Sequence, residues 1–383
     1  MNSSIPPEAY ISEEWFKTEQ NLLFTSLWQF VAPRALLAKN NSFVRRKISE
    51  KDIVIQNING EIKAFENICA HRQNPIQCTE HGVRPLICPY HAWSYGDNGE
   101  ILNIPNLNDS YRFTIDEINK ISLNQFYIHE FGNLVFVNLG IKPINFYVQF
   151  CDESLESIKN ASLLFDSEVL VSKQIKKFNW KLAYENLRDS QHPQFVHAKT
   201  LYKNVKFKSH INELDLLKSK NYFEYGSNSL EEHLEKLKSL SYGGPDEPIN
   251  EMPNYKWHEY VERYGDRNWY YNWLLYPNLH IASSTGGYSF TIEHHNPISS
   301  HETEIWIYYF TGKKKRSYPT SSAVLTSHLE GASKVLTEDF QILENIQSNM
   351  TLNSKKSIIG DYDYYNLTVE KWYMDTMNEK YVL

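Results

Sequence analysis

Cysteine is scarce in this sequence, with four in 383 residues. So few in a chain of this length make no disulfide framework, and another use for them has to be found. Long apolar runs are also missing. No stretch of about eighteen apolar residues occurs and no apolar segment follows a basic start, so neither membrane spanning nor export is expected, and a reducing cytoplasm is the expected location. Positive charge is neither in excess nor concentrated: 39 Lys and Arg stand against 46 Asp and Glu, a formal net charge of -7. No phosphate-neutralising surface for nucleic acid is apparent from that balance. The short basic runs at Lys313 to Arg316 and at Lys203, Lys206 and Lys208 read as solvated faces. Their functional alternative is a docking patch for an acidic electron-transfer partner. A glycine-rich flavin or nicotinamide fingerprint is absent too.

What the chain does contain is apolar and aromatic material, 41% and 14% of residues with 26 Tyr, enough for substantial cores. At this length two domains are expected. Ser12 is a plausible N-cap, and the spacing of Trp15, Leu22, Leu23 and Leu27 predicts an amphipathic helix from Ser12 to about Leu27. From Ser42 to about Leu139 the texture is short and β-rich, with DIVIQNING and EIKAF forming a hairpin at Asn59-Gly60. A strand is expected before Trp180, then a long helical stretch from Lys181 to about Val196. The region Lys203 to Tyr255 is polar and less readable. RNWYYNWLLY, GYSFTIEHH and ETEIWIYYF are strand candidates, and a helix from about Ser321 to Gln347 closes the core. The architecture reads as a small β-domain followed by an α+β domain.

Two loops carry the remaining use of cysteine. One residue separates Cys69 from His71, two separate Cys88 from His91, and sixteen lie between His71 and Cys88. Each loop offers one thiolate and one imidazole. A Rieske centre needs this inventory, since two Cys hold one iron and two His the other. The loops CAHR and CPYHAW resemble those of the Rieske oxygenase family. A structural zinc site has the same ligand types but usually wider intervals within each half. Respiratory Rieske proteins carry an additional cysteine in each loop, whereas Tyr90 stands in the second loop here. Cys78 and Cys151 read as small buried hydrophobes.

The stretch NWKLAYENLRDSQHPQFVH puts Asp189 three residues before His192 and eight before His197. On one continuous helix these side chains would spread over roughly 140°, so Pro193 is expected to kink or end the helix between the histidines. Asp339 is the candidate carboxylate for a facial triad. Val335, Leu336, Ile342, Leu343 and Ile346 lie within about 60° of it on a helix, and a bare carboxylate in such a stripe needs a cation. Pairing of Asp339 with Arg188 is the alternative.

The spacing D-x2-H-x4-H and the downstream ED-x4-E-x2-Q resemble the mononuclear-iron segments of Rieske non-haem iron oxygenase α subunits of the ring-hydroxylating type, over about Trp28 to Gln347. The resemblance implies His192, His197 and Asp339 as iron ligands, Cys69, His71, Cys88 and His91 as ligands of a [2Fe-2S] cluster, and Asp189 as the acid bridging electron transfer between subunits. It implies an α+β fold, with a helical segment 1–38 packing on the catalytic domain, a β-rich Rieske domain 39–149, and a helix-grip-like catalytic domain 150–383 whose central antiparallel sheet is flanked by helices. It further implies a ring-shaped homotrimer, electrons from NAD(P)H through a ferredoxin and/or flavin reductase, dioxygen as co-substrate, and mono- or dihydroxylation of a small molecule. A β subunit is left open, and so is oxidative N- or O-demethylation. Glu usually stands at the position of Asp189 in relatives acting on quaternary ammonium compounds, which points here to an aromatic or heterocyclic substrate. Asn186 and Leu187 match the family, and with the aromatic strands from Trp269 to Tyr276 they line either a partly apolar pocket or plain core. Arg188 anchors a substrate carboxylate or makes a structural salt bridge. Gln191 and Ala92 depart from the common pattern, which has an aromatic residue and Gly there. The competing class is a Rieske electron carrier without catalysis or a zinc-stabilised binding protein.

Overall fold

The computed structural model describes residues 2–150, 154–189, 192–201, 206–207, 241–243, 247–252, 254–316, 321–353, 355–360 and 364–378. Most of the polar region Lys203 to Tyr255, Cys151, and the basic residues Lys203 and Lys208 lie outside the described residues. Contacts divide the chain into two units, Phe24–Ile144 and the combination of Met1–Leu23 with Asn145–Leu383.

The smaller unit is built on a seven-stranded antiparallel sheet. Its order is Gln29–Pro33, Leu134–Asn138, Gln125–Phe131, Glu61–Glu66, Lys51–Ile58, Ser42–Ile48 and His81–Val83. The Asn-Gly hairpin forms as expected: Asn59 and Gly60 take φ of 54° and 98°, the left-handed pair that matches strand twist, and Ile58 pairs with Glu61. Phe43, Val54, Phe65, Leu86 and Trp93 make a core that also encloses Cys69 and Cys88.

The larger unit carries an eight-stranded sheet. Leu170–Lys176, Glu302–Thr311, Ser289–Ser299, Leu279–Ser283, Trp269–Leu275, Glu247–Glu251 and Lys206–Phe207 follow in order, and Ser241–Gly243 pairs with Trp269–Leu275. Every pairing is antiparallel. With the helices Trp180–Arg188, Ser321–Leu352 and Tyr364–Met377 in the same unit, the fold is α+β. No helix among the described residues is long and apolar enough to cross a membrane.

Strand pleating gives the sheet two chemically different faces. Register aligns Asn272 with Ala282, His280 with Glu293, and Thr291 with Tyr309, so these side chains share one face. That face meets the helices: His295 contacts Tyr184 at 5.5 Å between ring centres, and Thr291 meets His328 at 3.0 Å. Tyr271, Trp273 and Phe290 point the other way, into an aromatic cluster with Tyr264 and Phe165. The aromatic strand residues Tyr271 and Trp273 are therefore core.

Several expectations are corrected. The first helix spans only Glu13–Glu19, capped by Ser12, and widens into a π-helical turn through Phe24. The strand Leu279–Ser283 was not foreseen, because five residues without clear alternation carry little pattern. Cys78 is exposed, not a buried hydrophobe. Of the basic run, Lys314 pairs with Glu168 at 2.6 Å and Arg316 sits 3.9 Å from Glu259.

In the final long helix, Leu336, Asp339, Phe340, Leu343 and Gln347 are buried, while Ile342 and Ile346 are 38% and 36% exposed. At about 100° per residue the buried stripe is centred some 60° from Asp339, which lies at its edge and not its centre.

Candidate metal centres

Both cysteine loops close with the same backbone turn. Cys69 accepts from the amide of Gln73 (2.9 Å) and donates to the carbonyl of Asn74 (3.0 Å). Cys88 accepts from Ala92 (3.0 Å) and donates to Trp93 (2.8 Å). The fifth residue of each turn is left-handed, with φ of 59° at Gln73 and 56° at Ala92. This conformation favours Gly, so the departure at Ala92 carries backbone strain.

The turns bury both thiols, with Cys69 and Cys88 1% and 2% exposed, and bring the His71 and His91 rings to 4.6 Å between centres. His71 stacks on Trp93 at 4.8 Å. Its Nε2 faces the Tyr111 hydroxyl at 3.3 Å, while its Nδ1 is buried with no hydrogen-bond partner among the described residues. Burial, followed by His91 and Arg72, lowers the His71 pKa and keeps the ring neutral, the form that ligates. Burial also raises the Cys69 thiol, with Cys88 adding to the effect. Tyr95 accepts from the amide of Ala70 at 3.0 Å and lies 3.1 Å from Sγ of Cys69. Two buried thiols and a partnerless imidazole nitrogen form a donor set that fits a [2Fe-2S] cluster ligated by two Cys and two His.

The second centre arises where a helix stops. Trp180–Arg188 is capped at its start by Asn179, and at its end Asp189 turns extended, its amide returning to the Asn186 carbonyl at 3.1 Å. The expected break at Pro193 is not where the chain breaks. Pro193 instead sits in the first turn of the next helix, His192–Val196, where its missing N–H leaves no helical bond unmade. His192 opens that short helix and His197 follows its end, their ring centres 5.3 Å apart.

The long helix Ser321–Leu352 delivers Asp339 to both rings. Its Oδ1 lies 3.1 Å from His197 Nε2 and 3.5 Å from His192 Nε2. Each of the three residues thus offers an atom, all within 4.8 Å of one another. Asp339 is 7% exposed and its Oδ1 has no hydrogen-bond partner of good geometry among the described residues. Burial would raise its pKa, but His192 and His197 outweigh that and hold it low. Burial acts downward on His192, and Asp189 and Asp339 reverse it to about 9. In the metal-free chain a proton therefore stands where a cation fits, and metal binding would release it. Two imidazoles and one carboxylate on one side of a small space are the donor set of non-haem Fe(II) sites with open positions.

Behind His192, Asp189 Oδ2 lies 3.5 Å from Nδ1. Behind His197, Glu338 Oε2 lies 2.8 Å from Nδ1, a contact that was not foreseen. Asp339 pairs with His192 and His197. Arg188 lines a small cavity beside Tyr184, Glu185, Tyr276 and Asn366. The Leu187 carbonyl accepts from Asn272 at 3.4 Å.

Residues 27–124 match the Rieske [2Fe-2S] domain, and residues 156–379 match the ring hydroxylating alpha subunit (catalytic domain). The large oxygenase component of salicylate 5-hydroxylase from Ralstonia sp is 26% identical over 51% of this chain and 49% of its own. The glycine betaine monooxygenase oxygenase subunit of Pseudomonas aeruginosa is 26% identical over 52% of this chain and 46% of its own. The chain thus spans about half the length of the curated relatives it matches. Among solved structures, a quaternary ammonium Rieske monooxygenase, CntA, shares the fold with a TM-score of 0.70 at 16% identity, covering 97% of this chain and 95% of that one. With a cluster-binding unit followed by a matching catalytic domain, the chain belongs to the family of Rieske-type ring-hydroxylating α subunits.

Proposed function

We propose that this chain is the terminal oxygenase of a multicomponent system, taking electrons from NAD(P)H through a separate reductase, with a ferredoxin and/or flavin carrier, and hydroxylating an aromatic or heterocyclic small molecule with dioxygen. The observation that carries this reading is the convergence of His192, His197 and Asp339, with a buried carboxylate oxygen left without a hydrogen bond, in a chain that also buries Cys69 and Cys88. An electron carrier alone has no use for that second donor set.

Cys69, Cys88, His71 and His91 hold the cluster, and His192, His197 and Asp339 the mononuclear iron. Bound there, the two groups supply one-electron transfer and oxygen activation. Asp189 has only acceptor atoms when ionised, so one oxygen can hold His192 while the other holds a cluster histidine from a neighbouring chain. The family resemblance supports a homotrimer that joins the Asp189 of one copy to the cluster of the next, in a cytoplasm where thiols stay reduced. Asn186, Leu187 and Arg188, on the turn preceding Asp189, are the proposed substrate-side residues.

Oxidative demethylation of a quaternary ammonium compound is the second reading, supported by the likeness to glycine betaine monooxygenase. One experiment tests both. Anaerobically reconstituted chain should hold about three irons and about two acid-labile sulfides, with the electron-paramagnetic-resonance signal of a reduced His-ligated cluster. Given a compatible reductase, arenes should drive NAD(P)H and oxygen consumption. Formaldehyde release from betaines without any arene turnover would favour demethylation, and stoichiometric zinc in place of iron would end both readings.

A further inference from the structure

Glu338 precedes the ligand Asp339 on the long helix, yet its carboxylate faces the back of His197. Its Oε2 lies 2.8 Å from His197 Nδ1 and accepts the Thr200 hydroxyl at 2.6 Å. Thr200 is fixed in turn by the chain itself, its amide donating to the His197 carbonyl at 3.2 Å. The His197 side chain is 3% exposed, so no water competes for the ring.

An ionised carboxylate accepts and cannot donate, which requires Nδ1 of His197 to carry the proton. Nε2 faces Asp339 Oδ1, 3.1 Å away, so with a cation between the two it can offer its lone pair. His192 is held differently: Asp189 lies 3.5 Å from its Nδ1, which has no hydrogen-bond partner of good geometry among the described residues. The two imidazoles therefore have unequal support.

We propose that Glu338, aimed by Thr200, is a positioning residue that locks the tautomer and orientation of His197 and so sets how tightly the mononuclear site retains Fe(II). This rests on the reading of His192, His197 and Asp339 as an iron site. Outer-shell carboxylates behind a metal-bound His typically change affinity by about 10- to 100-fold, and that range is expected for Glu338→Ala. Glu338→Gln keeps an amide oxygen able to accept both bonds and should lose far less. Thr200→Val should weaken retention only while Glu338 is present.

The test uses the full-length chain with its cluster assembled, acid-labile sulfide serving as an internal count of cluster. Fe(II) affinity is measured by chelator competition, and by the rise in melting temperature on adding Fe(II) to protein lacking the mononuclear metal. A wild-type chain that takes up no third iron refutes the iron-site reading itself. If wild type binds and Glu338→Ala binds equally well, the positioning role is refuted while the iron site stands. Equal losses in Glu338→Ala and Glu338→Gln, or a Thr200→Val loss undiminished in the Glu338→Ala background, overturn it as well. Graded loss across Ala and Gln, with the Thr200 effect vanishing when Glu338 is absent, is the supporting outcome.

Discussion

Asp189 and Asp339 stand at opposite edges of one imidazole: Oδ2 of Asp189 is 3.5 Å from Nδ1 of His192, and Oδ1 of Asp339 is 3.5 Å from its Nε2. The ring thus lies between a carboxylate that shares the metal space and one that does not. Asp189→Asn should keep both metal centres and slow reoxidation of the reduced cluster by about 10- to 100-fold, the range seen when such partners are lost. Stopped-flow absorbance of the cluster, with iron and sulfide counted beforehand, is the measurement. Unchanged reoxidation would remove Asp189 from the electron route.

The pairing of cysteine and histidine in two loops was readable because the donor residues are local, with one or two residues between them within each turn. Asp339 drew notice as an acid among apolar residues, although the stripe expected around it was misplaced, with Ile342 and Ile346 partly exposed and Asp339 at the edge of the buried face. Glu338 did not, because an acidic residue beside another on a helix reads as solvent-facing until the partner helix is placed. The break after Arg188 was missed for a related reason. Pro193 is the visible breaker, but the chain turns earlier, at Asp189, and uses the proline to start the next helix.

Ala92 offers a test of the loop turn. A left-handed residue with a Cβ costs roughly 1–2 kcal/mol, offset in part by the greater freedom of Gly in the unfolded chain. Ala92→Gly should therefore stabilise the cluster-binding unit by up to about 1 kcal/mol. The check is the urea midpoint followed by the visible absorbance of the cluster, and a lower midpoint would contradict the strain.

Tyr95 donates to Cys69 once that sulfur is a thiolate, because burial and Cys69 raise the phenol's pKa and it keeps its proton. Hydrogen bonds to cluster sulfurs stabilise the reduced, more negative state. Tyr95→Phe should lower the reduction potential by tens of millivolts, on the order of one hydrogen bond at about 1 kcal/mol. Redox titration of the purified chain measures this.

Glu293 is buried with His280 at 2.9 Å and His295 at 3.1 Å. Burial alone would raise its pKa, but the two histidines more than reverse this and hold it below its ordinary value of 4.5. A depressed carboxylate contributes stability that is present above the unfolded pKa and lost as pH falls through the folded one. The urea midpoint should fall steeply as pH drops below about 4.5, the unfolded value. Glu293→Gln should be less stable near neutrality by about 3 kcal/mol and show a flatter acid limb.

Lys181 and Glu19 form a salt bridge whose side chains are 2% and 0% exposed. Removing either alone strands a charge, so Lys181→Met should cost about 3–5 kcal/mol, whereas Lys181→Met with Glu19→Leu should recover much of that loss. Thermal unfolding of the set decides it, and additive losses would contradict mutual neutralisation.

The pleat of the catalytic sheet divides the work of its strands between two faces. Asn272, His280, Glu293 and Thr291 turn toward the helices Trp180–Arg188 and Ser321–Leu352, the second of which bears Asp339, while Tyr271, Trp273 and Phe290 turn to the reverse side. Neighbouring residues of one strand therefore carry different physical duties: alternate positions must keep a buried polar network paired, while those between them must fill an aromatic core.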